Sequence, residues 1–483
     1  MKPKNILHLL GAFLFFLGAA MLLPVICSVF YRDGDLITLL LSMGITSATG
    51  GLFYFLFKPG SGEITLNHKE GFLVVAACWL LAGVFGALPY IIHGVLPVFT
   101  DAFFESISGF TTTGATVINH IEGLPRGILL WRAFTQWLGG MGIIVLSIAI
   151  LPLLGVGGMQ LYKAELPSPV KDKLTPRVME TARTLWIVYF IISTVEFVLL
   201  LFGGMTVFDA MCHTFTTMAT GGFSTSDASI AHFNSAYIDG VITLFMLIAG
   251  INFTLHYSLI TGNIKAFFGN SELRFYLGVT FVAVAVITLN LKFHIFGDIE
   301  KCFRYASFQV VSILTTTGFA TDNFGEWPAL SKIILLLLMF IGGSAGSTGG
   351  SIKCLRIMMI LKHSYMELYR LVHPHAVTTV KLGRKIIYPE TMASIWGFFI
   401  LYLMLTALAS VALTALGLDM MTAFSAVAAT IGNVGPGFGG VDASSTYSEI
   451  PFLGKWILSF CMLAGRLEIY TILVLFTPEF WRK

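Results

Sequence analysis

Long apolar runs alternate with short polar joints along the whole chain. The runs fall at roughly 6–30, 36–57, 71–92, 127–155, 184–204, 238–261, 275–296, 330–361, 391–416 and 452–477. A helix needs ~20 apolar residues to cross the hydrocarbon core, so the pattern predicts ten transmembrane helices. The first run follows Lys2 and Lys4 but extends well beyond the ~7–15 residue apolar region of a secretory signal, and it reads as a retained helix. Four shorter, less apolar segments lie between the runs, near 101–113, 209–221, 305–317 and 422–434. They are too short to span and fit re-entrant elements that enter the bilayer and return to the same side.

These four segments align without gaps. They read DAFFESISGFTTTG from Asp101, DAMCHTFTTMATGG from Asp209, YASFQVVSILTTTG from Tyr305 and TAFSAVAATIGNVG from Thr422. Each ends in glycine, at Gly114, Gly222, Gly318 and Gly435, and each has alanine in second place. Asp101, Asp209 and Thr422 are residue types that cap helix starts, whereas Tyr305 is not. With a long run before and after each segment, the chain divides into an extra helix pair at 1–68 and four pore repeats at 69–160, 161–265, 266–365 and 366–483. The implied fold is an all-α polytopic membrane protein with pseudo-fourfold symmetry, its ten spans joined by four re-entrant pore helices.

The bilayer gives the repeat a physical meaning. A helix of about 12 residues is ~18 Å long, so its C-terminus stops near mid-membrane. That end carries about −0.5 charge, and irregular backbone at such depth survives only inside protein or along a water-filled path. Glycine permits the turn that aims carbonyls inward. Four such loops around an axis form a ring of carbonyls that can replace the hydration shell of a monovalent cation.

Composition and charge narrow the function. Hydrophobic residues make up 56% and charged residues 11%, and mean hydropathy is +0.83. A soluble domain carries roughly 25% charge, so a soluble enzyme, a nucleic-acid binder and a disordered chain are excluded, and the lipid bilayer is the solvent. With the N-terminus inside and each run crossing once, 20 of the 29 Lys and Arg residues fall on the inner side, as the positive-inside rule requires. Both termini are then cytoplasmic, and the most polar stretches, 158–183 and 362–388, lie inside. The six cysteines are scattered and no His/Cys cluster has zinc spacing, so neither a metal cofactor nor a disulfide framework is expected.

The loop residues resemble a known family. TTTGAT (111–116), ATGGFST (219–225), TTTGFAT (315–321) and GNVGPGFG (432–439) look like the four filter loops of the TrkH/TrkG/KtrB family of bacterial potassium-uptake proteins. IGGSAGSTGGSIK (341–353) and AGRLEIYTILVLFTPEFW (464–481) agree as well, and the extra helix pair resembles the TrkH branch. The resemblance implies potassium uptake across the bacterial inner membrane and no cofactor in this chain. It also implies a homodimer with one pore per protomer and a cytosolic nucleotide-binding partner of the TrkA type. The implied potassium-binding filter comprises Thr112, Thr113, Gly114, Thr220, Gly221, Gly222, Thr316, Thr317, Gly318, Asn433, Val434 and Gly435. The fourth loop departs from the others, with Asn433 and Val434 where loops one and three have threonine. Carbonyl coordination tolerates this, but the ring becomes asymmetric, and discrimination between potassium and sodium stays open.

A second element lies in the eighth run. Its GGSAGSTGG stretch is poorly suited to a regular helix, because glycine is costly in a helix interior. Gly342–Gly346 fits G-x-S-x-G, and the glycine run before Lys353 resembles a phosphate loop, but no strand precedes either and the Gly-Lys-Ser/Thr order is missing. The alternatives are a packing kink and a gate under the filter made of Gly346, Ser347, Thr348, Gly349, Gly350, Lys353 and Arg466. Arg466 lies within the last span and needs a partner. That partner is either Glu468 or the carbonyls of the glycine loop, and the second role is the one the family gives a similar arginine. Glu105, in the first pore segment, is expected to bond to backbone or to Ser108 rather than to an ion. The rival to a channel-like conductor is a proton- or sodium-coupled potassium symporter. It calls for titratable groups at mid-membrane, and the filter offers none. A membrane enzyme would need a catalytic constellation, and the sequence has none.

Overall fold

The computed structural model describes residues 2–59, 67–145, 174–376, 378–383 and 385–482. Among these, six helical stretches are long and apolar enough to cross a membrane unaided: Pro3–Tyr31, Leu36–Leu56, Lys69–His93, Glu180–Phe202, Ser271–Phe296 and Pro389–Ala415. Two further spans are bent pairs, Ala236–Ala249 with Phe253–Ile260 at 101°, and Phe452–Arg466 with Ile469–Phe476 at 117°. The fourth run is represented by Arg126–Val145, and its expected continuation to 155 lies outside the described residues. The eighth run splits into Ala329–Leu338 and Cys354–Val372 around a non-helical stretch. The fold is all-α and polytopic, apart from a small antiparallel hairpin pairing Lys381–Leu382 with Lys385–Ile386.

The bends have local causes. In the first, Asn252 accepts a hydrogen bond from Thr254 N at 2.9 Å and so caps a new helix in the middle of an apolar run. In the second, Glu468 takes φ +63°, which ends one helix and restarts another at Ile469. The hydrophobic pattern predicts both spans as straight, because it averages over such breaks.

Four short helices occupy the predicted re-entrant segments: Phe99–Phe110, Val207–Met218, Ile299–Leu314 and Met420–Ile431. They start earlier than the 14-residue alignment implies. The capping positions are Val98, Thr206, Asp298 and Asp419, so Asp101, Asp209 and Thr422 are not caps but lie in the first turn. Carboxylates there favour the positive helix end, and Asp101 also pairs with the buried Lys455 at 2.6 Å.

The molecule has two polar ends. At one, the Lys2 amide donates to Glu70, and Lys69 Nζ donates to the carbonyls of Glu479 and Arg482 at 3.0 and 2.8 Å. Lys2 and the Glu479–Arg482 segment therefore both meet the start of the stretch Lys69–His93. At the other, the loops after the pore helices interlock: Ile121 N donates to Asp227, Ala231 N to Ala320 O and Tyr447 N to Thr116 O. Between the ends, large apolar side chains such as Phe202, Phe281 and Phe293 are exposed, as suits a lipid-facing surface.

Candidate functional site

Each pore helix ends in the same turn. In the first, Thr112 N donates to Gly109 O at 2.9 Å and Thr113 N to Ser108 O at 2.9 Å. The same pair recurs from Thr220 and Gly221 to Thr217 and Thr216, from Thr316 and Thr317 to Ile313 and Ser312, and from Asn433 and Val434 to Thr430 and Ala429. This is the Schellman arrangement, which needs a left-handed residue just past the helix. Thr112, Thr220, Thr316 and Asn433 take that position at φ +52°, +54°, +62° and +53°. The usual occupant is glycine, and a β-branched residue there is strained; such residues cost ~1–3 kcal/mol each and cluster at functional sites. Asparagine tolerates the left-handed region better than threonine, so the departure at Asn433 eases the backbone rather than disturbing it.

Two residues further on, Gly114, Gly222, Gly318 and Gly435 are left-handed again, at φ +81°, +77°, +81° and +98°. Each lies against a carbonyl oxygen of a neighbouring loop: Gly114 against Gly221, Gly222 against Thr317, Gly318 against Val434, and Gly435 against Thr113. Loop one thus meets two, two meets three, three meets four, and four meets one. The contacts close a ring, and a Cβ on any of these glycines would overlap the facing carbonyl.

The ring is braced from behind. Gln136 Nε2 donates to Gly221 O at 2.7 Å while its Oε1 accepts from Phe223 N at 3.1 Å. Asn433 Nδ2 donates to Thr113 Oγ1 and to Met462 O at 2.9 and 3.0 Å, and the Tyr447 hydroxyl donates to Gly435 O at 2.7 Å. Glu105 accepts from Val117 N at 2.9 Å, from the Thr116 hydroxyl at 3.0 Å and from Arg132 Nε at 2.8 Å. Its expected backbone bond is present, but its side-chain partners are Thr116 and Arg132 rather than Ser108. At the outer mouth the Ser226 hydroxyl donates to Glu122 at 2.5 Å and holds that carboxylate below its usual range.

Beneath the ring, the glycine stretch of the eighth run leaves the helix and returns. Gly342 N donates to Ile352 O at 2.8 Å and closes the neck. The loop rests in the first bend: Ser344 N donates to Gly250 O at 2.8 Å and Phe253 N to Gly346 O at 3.1 Å. The Thr348 hydroxyl reaches Ala249 O at 3.2 Å, and Gly350 N donates to the Thr316 hydroxyl at 2.7 Å, directly under the third filter loop. Ser347 bonds within the loop to Ser344 O, and Lys353 Nζ donates to Gly349 O. From the second bend, Arg466 donates to Thr348 O at 2.7 Å and to Gly139 O at 3.4 Å. Arg466 and Glu468 do not pair. Glu468 instead meets Arg356 at 2.6 Å, and the Arg356 guanidinium stacks over the Phe398 ring at 4.0 Å. The four loop ends therefore meet in one ring, and the glycine stretch joins them at Thr316 while it is held by Lys353 and Arg466. Gln136, Asn252 and Arg356 are neighbours that the hydrophobic pattern does not single out, and Glu468, expected as one of two partners for Arg466, pairs with Arg356 instead. An asparagine two residues after a glycine in an apolar run was the available signal for the first bend.

Re-entrant helices converging on a closed loop ring, with a broken helix below, define a polytopic membrane protein built around a central pore. Residues 39–483 match the TrkH family, described as cation transport proteins, and the chain belongs to that family. It is 44% identical to the Trk system potassium uptake protein TrkH of Escherichia coli (strain K12), with 100% of both chains covered, and 39% identical to TrkG of the same strain over 99% of each. It is also similar to the crystal structure of the potassium transporter TrkH from Vibrio parahaemolyticus, with TM-score 0.92, 40% identity and 100% of both chains covered.

Proposed function

We propose that this chain is the ion-conducting subunit of a potassium-uptake system in a bacterial inner membrane, with both termini cytoplasmic. Family membership supports the substrate class, and the closed ring of Gly114, Gly222, Gly318 and Gly435 against neighbouring carbonyls is the observation that carries the pore. The alternation of left-handed residues at Thr112 and Gly114, and at their counterparts, turns successive peptide units so that carbonyls can face one axis. Potassium sheds water in exchange for those carbonyls of the four filter loops that face the axis. Fixed carbonyl dipoles attract a cation without any titratable group, which favours channel-like conduction over proton-coupled exchange.

The repeat boundaries at 69–160, 161–265, 266–365 and 366–483 follow from this reading, although the first junction falls outside the described residues. The glycine loop from Gly346 to Gly350, with Lys353 and Arg466, acts as the gate: a guanidinium below the ring repels potassium while it holds the loop through Thr348 O. A homodimer and a cytosolic nucleotide-binding subunit of the TrkA type complete the proposal. The partner would dock on the polar inner segments 163–183 and 362–388, of which 163–173, 377 and 384 lie outside the described residues. Flux of potassium, rubidium and sodium into liposomes holding the purified protein, with and without a proton gradient, tests the reading. Potassium and rubidium flux that ignores the proton gradient is expected. Uptake that stops when the gradient is removed would replace the channel with a symporter.

A further inference from the structure

A cavity of about 990 Å³ lies beside the pore, open sideways between the first helix, the first repeat and the long helix Leu174–Phe202. Its walls are almost wholly apolar, among them Phe13, Cys78, Trp79 and Trp137, and its rim carries the exposed Phe16, Trp186 and Phe190. Dry empty cavities are known at about 150 Å³. This one is several times larger and has too few polar groups to bind ordered water, so hydrocarbon is its natural filling. The one charged residue on its wall is Arg183, which is exposed and has no acidic partner among the described residues. Under the charge-derived topology Arg183 lies at the cytoplasmic edge, where an arginine can meet a lipid phosphate.

We propose that the cavity is a binding site for an anionic inner-leaflet phospholipid, its phosphate on Arg183 and an acyl chain among Phe13, Trp79 and Trp137. The inner wall gives the lipid a route to the pore. Gly139 lines the cavity, and its carbonyl accepts from Arg466; Phe110, the last residue of the first pore helix, lines it too. An acyl chain pressed against this wall supports the carbonyl that holds Arg466. Binding does not depend on what the pore conducts; only the effect on flux rests on the proposed function.

The test uses the full-length protein in liposomes with phosphatidylglycerol carrying a photoactivatable group on its acyl chain, and phosphatidylethanolamine with the same group for comparison. Labelled residues are then mapped. Gly142→Leu fills the cavity, because a Cβ at Gly142 meets only Trp79, at 3.7 Å. Gly142→Ala controls for loss of a helix glycine, and Arg183→Ala removes the phosphate contact at an exposed position. Labelling concentrated at Phe13, Trp79, Trp137 and Trp186 is expected. It should fall several-fold in Gly142→Leu and in Arg183→Ala but not in Gly142→Ala, and wild type should prefer phosphatidylglycerol. Labelling no denser than at the lipid-facing Phe281 and Phe293, or equal for both lipids, would overturn the proposal. So would cross-links showing that residues 146–173 occupy the cavity instead.

Discussion

The filter ring and the layer beneath it are built on opposite plans. The ring is repetitive: four helix ends, four paired hydrogen bonds, four left-handed residues and four glycines, each against its neighbour's carbonyl. The lower layer is made from three different solutions to one problem, which is how a long helix passes the end of a pore helix. The first repeat passes with Gly139 and Gly140 in an unbroken helix, the second bends at Gly250–Asn252, the third leaves the helix altogether, and the fourth bends at Leu467–Glu468. Coordination needs equal backbone dipoles from all sides, so repetition serves it. Gating needs elements that differ from the rest: in the proposed reading the third repeat supplies the loop, with Lys353 on Gly349 O, and the fourth supplies Arg466 on Thr348 O.

Substitutions at three places test this division, and the largest effect belongs to the ring. Gly222→Ala and Gly318→Ala place a Cβ on the carbonyls of Thr317 and Val434 and add about 1–2 kcal/mol of left-handed strain. The clash is with backbone, so no rotamer relieves it. Potassium flux in liposomes should collapse or its preference over sodium disappear, and Gly114→Ala and Gly435→Ala should behave alike. One glycine that accepts alanine with normal selectivity would break the fourfold description. Next comes Arg466→Ala, which frees Thr348 O and Gly139 O. Flux without the cytosolic partner should rise several-fold, whereas Arg466→Lys keeps the charge and should stay near wild type. If folded Arg466→Ala conducts no faster, the loop is packing and not a gate. The third is Glu468→Ala, which leaves Arg356 in a nearly closed site without its partner. Removing one member of a buried pair costs about 3–5 kcal/mol, so the melting temperature should drop clearly while selectivity holds. A changed selectivity would mean that the two layers are not separable.

The same division decides what was legible in the sequence. The ring could be read because its constraints act on residue type: a left-handed turn with no room for a Cβ admits glycine alone, and it does so four times in register. The helix class and the glycine break in the eighth run were legible for similar reasons. The helix starts at Thr206, Asp298 and Asp419 were not, since alignment by helix ends says nothing about where each helix begins. The bend at Glu468 depends on a positive φ at a residue type that rarely adopts one, and no local signal marks it. The pairings Glu105–Arg132 and Arg356–Glu468 join residues that the chain separates by a whole loop or more, 27 positions in the first case. Side chains that meet through tertiary contact leave no periodic trace.

The smallest effect gives the finest test of the ring, because it asks whether the fourth loop differs in substance or only in spelling. Thr112 sits at φ +52° with its hydroxyl buried and unpartnered among the described residues. Replacing it by asparagine removes β-branching from a left-handed position and breaks no hydrogen bond, so Thr112→Asn should leave stability unchanged or raise it by up to ~1 kcal/mol. The reverse change is not symmetric. Asn433→Thr loses the bonds to Thr113 Oγ1 and Met462 O, each worth about 1 kcal/mol, and takes on the strain that Thr112 gives up. It should therefore cost about 2–3 kcal/mol, read as a lower melting temperature, with a modest loss of potassium preference. If Thr112→Asn destabilises the protein as much as Asn433→Thr does, each residue is fitted to its own loop, and relief of left-handed strain does not explain Asn433.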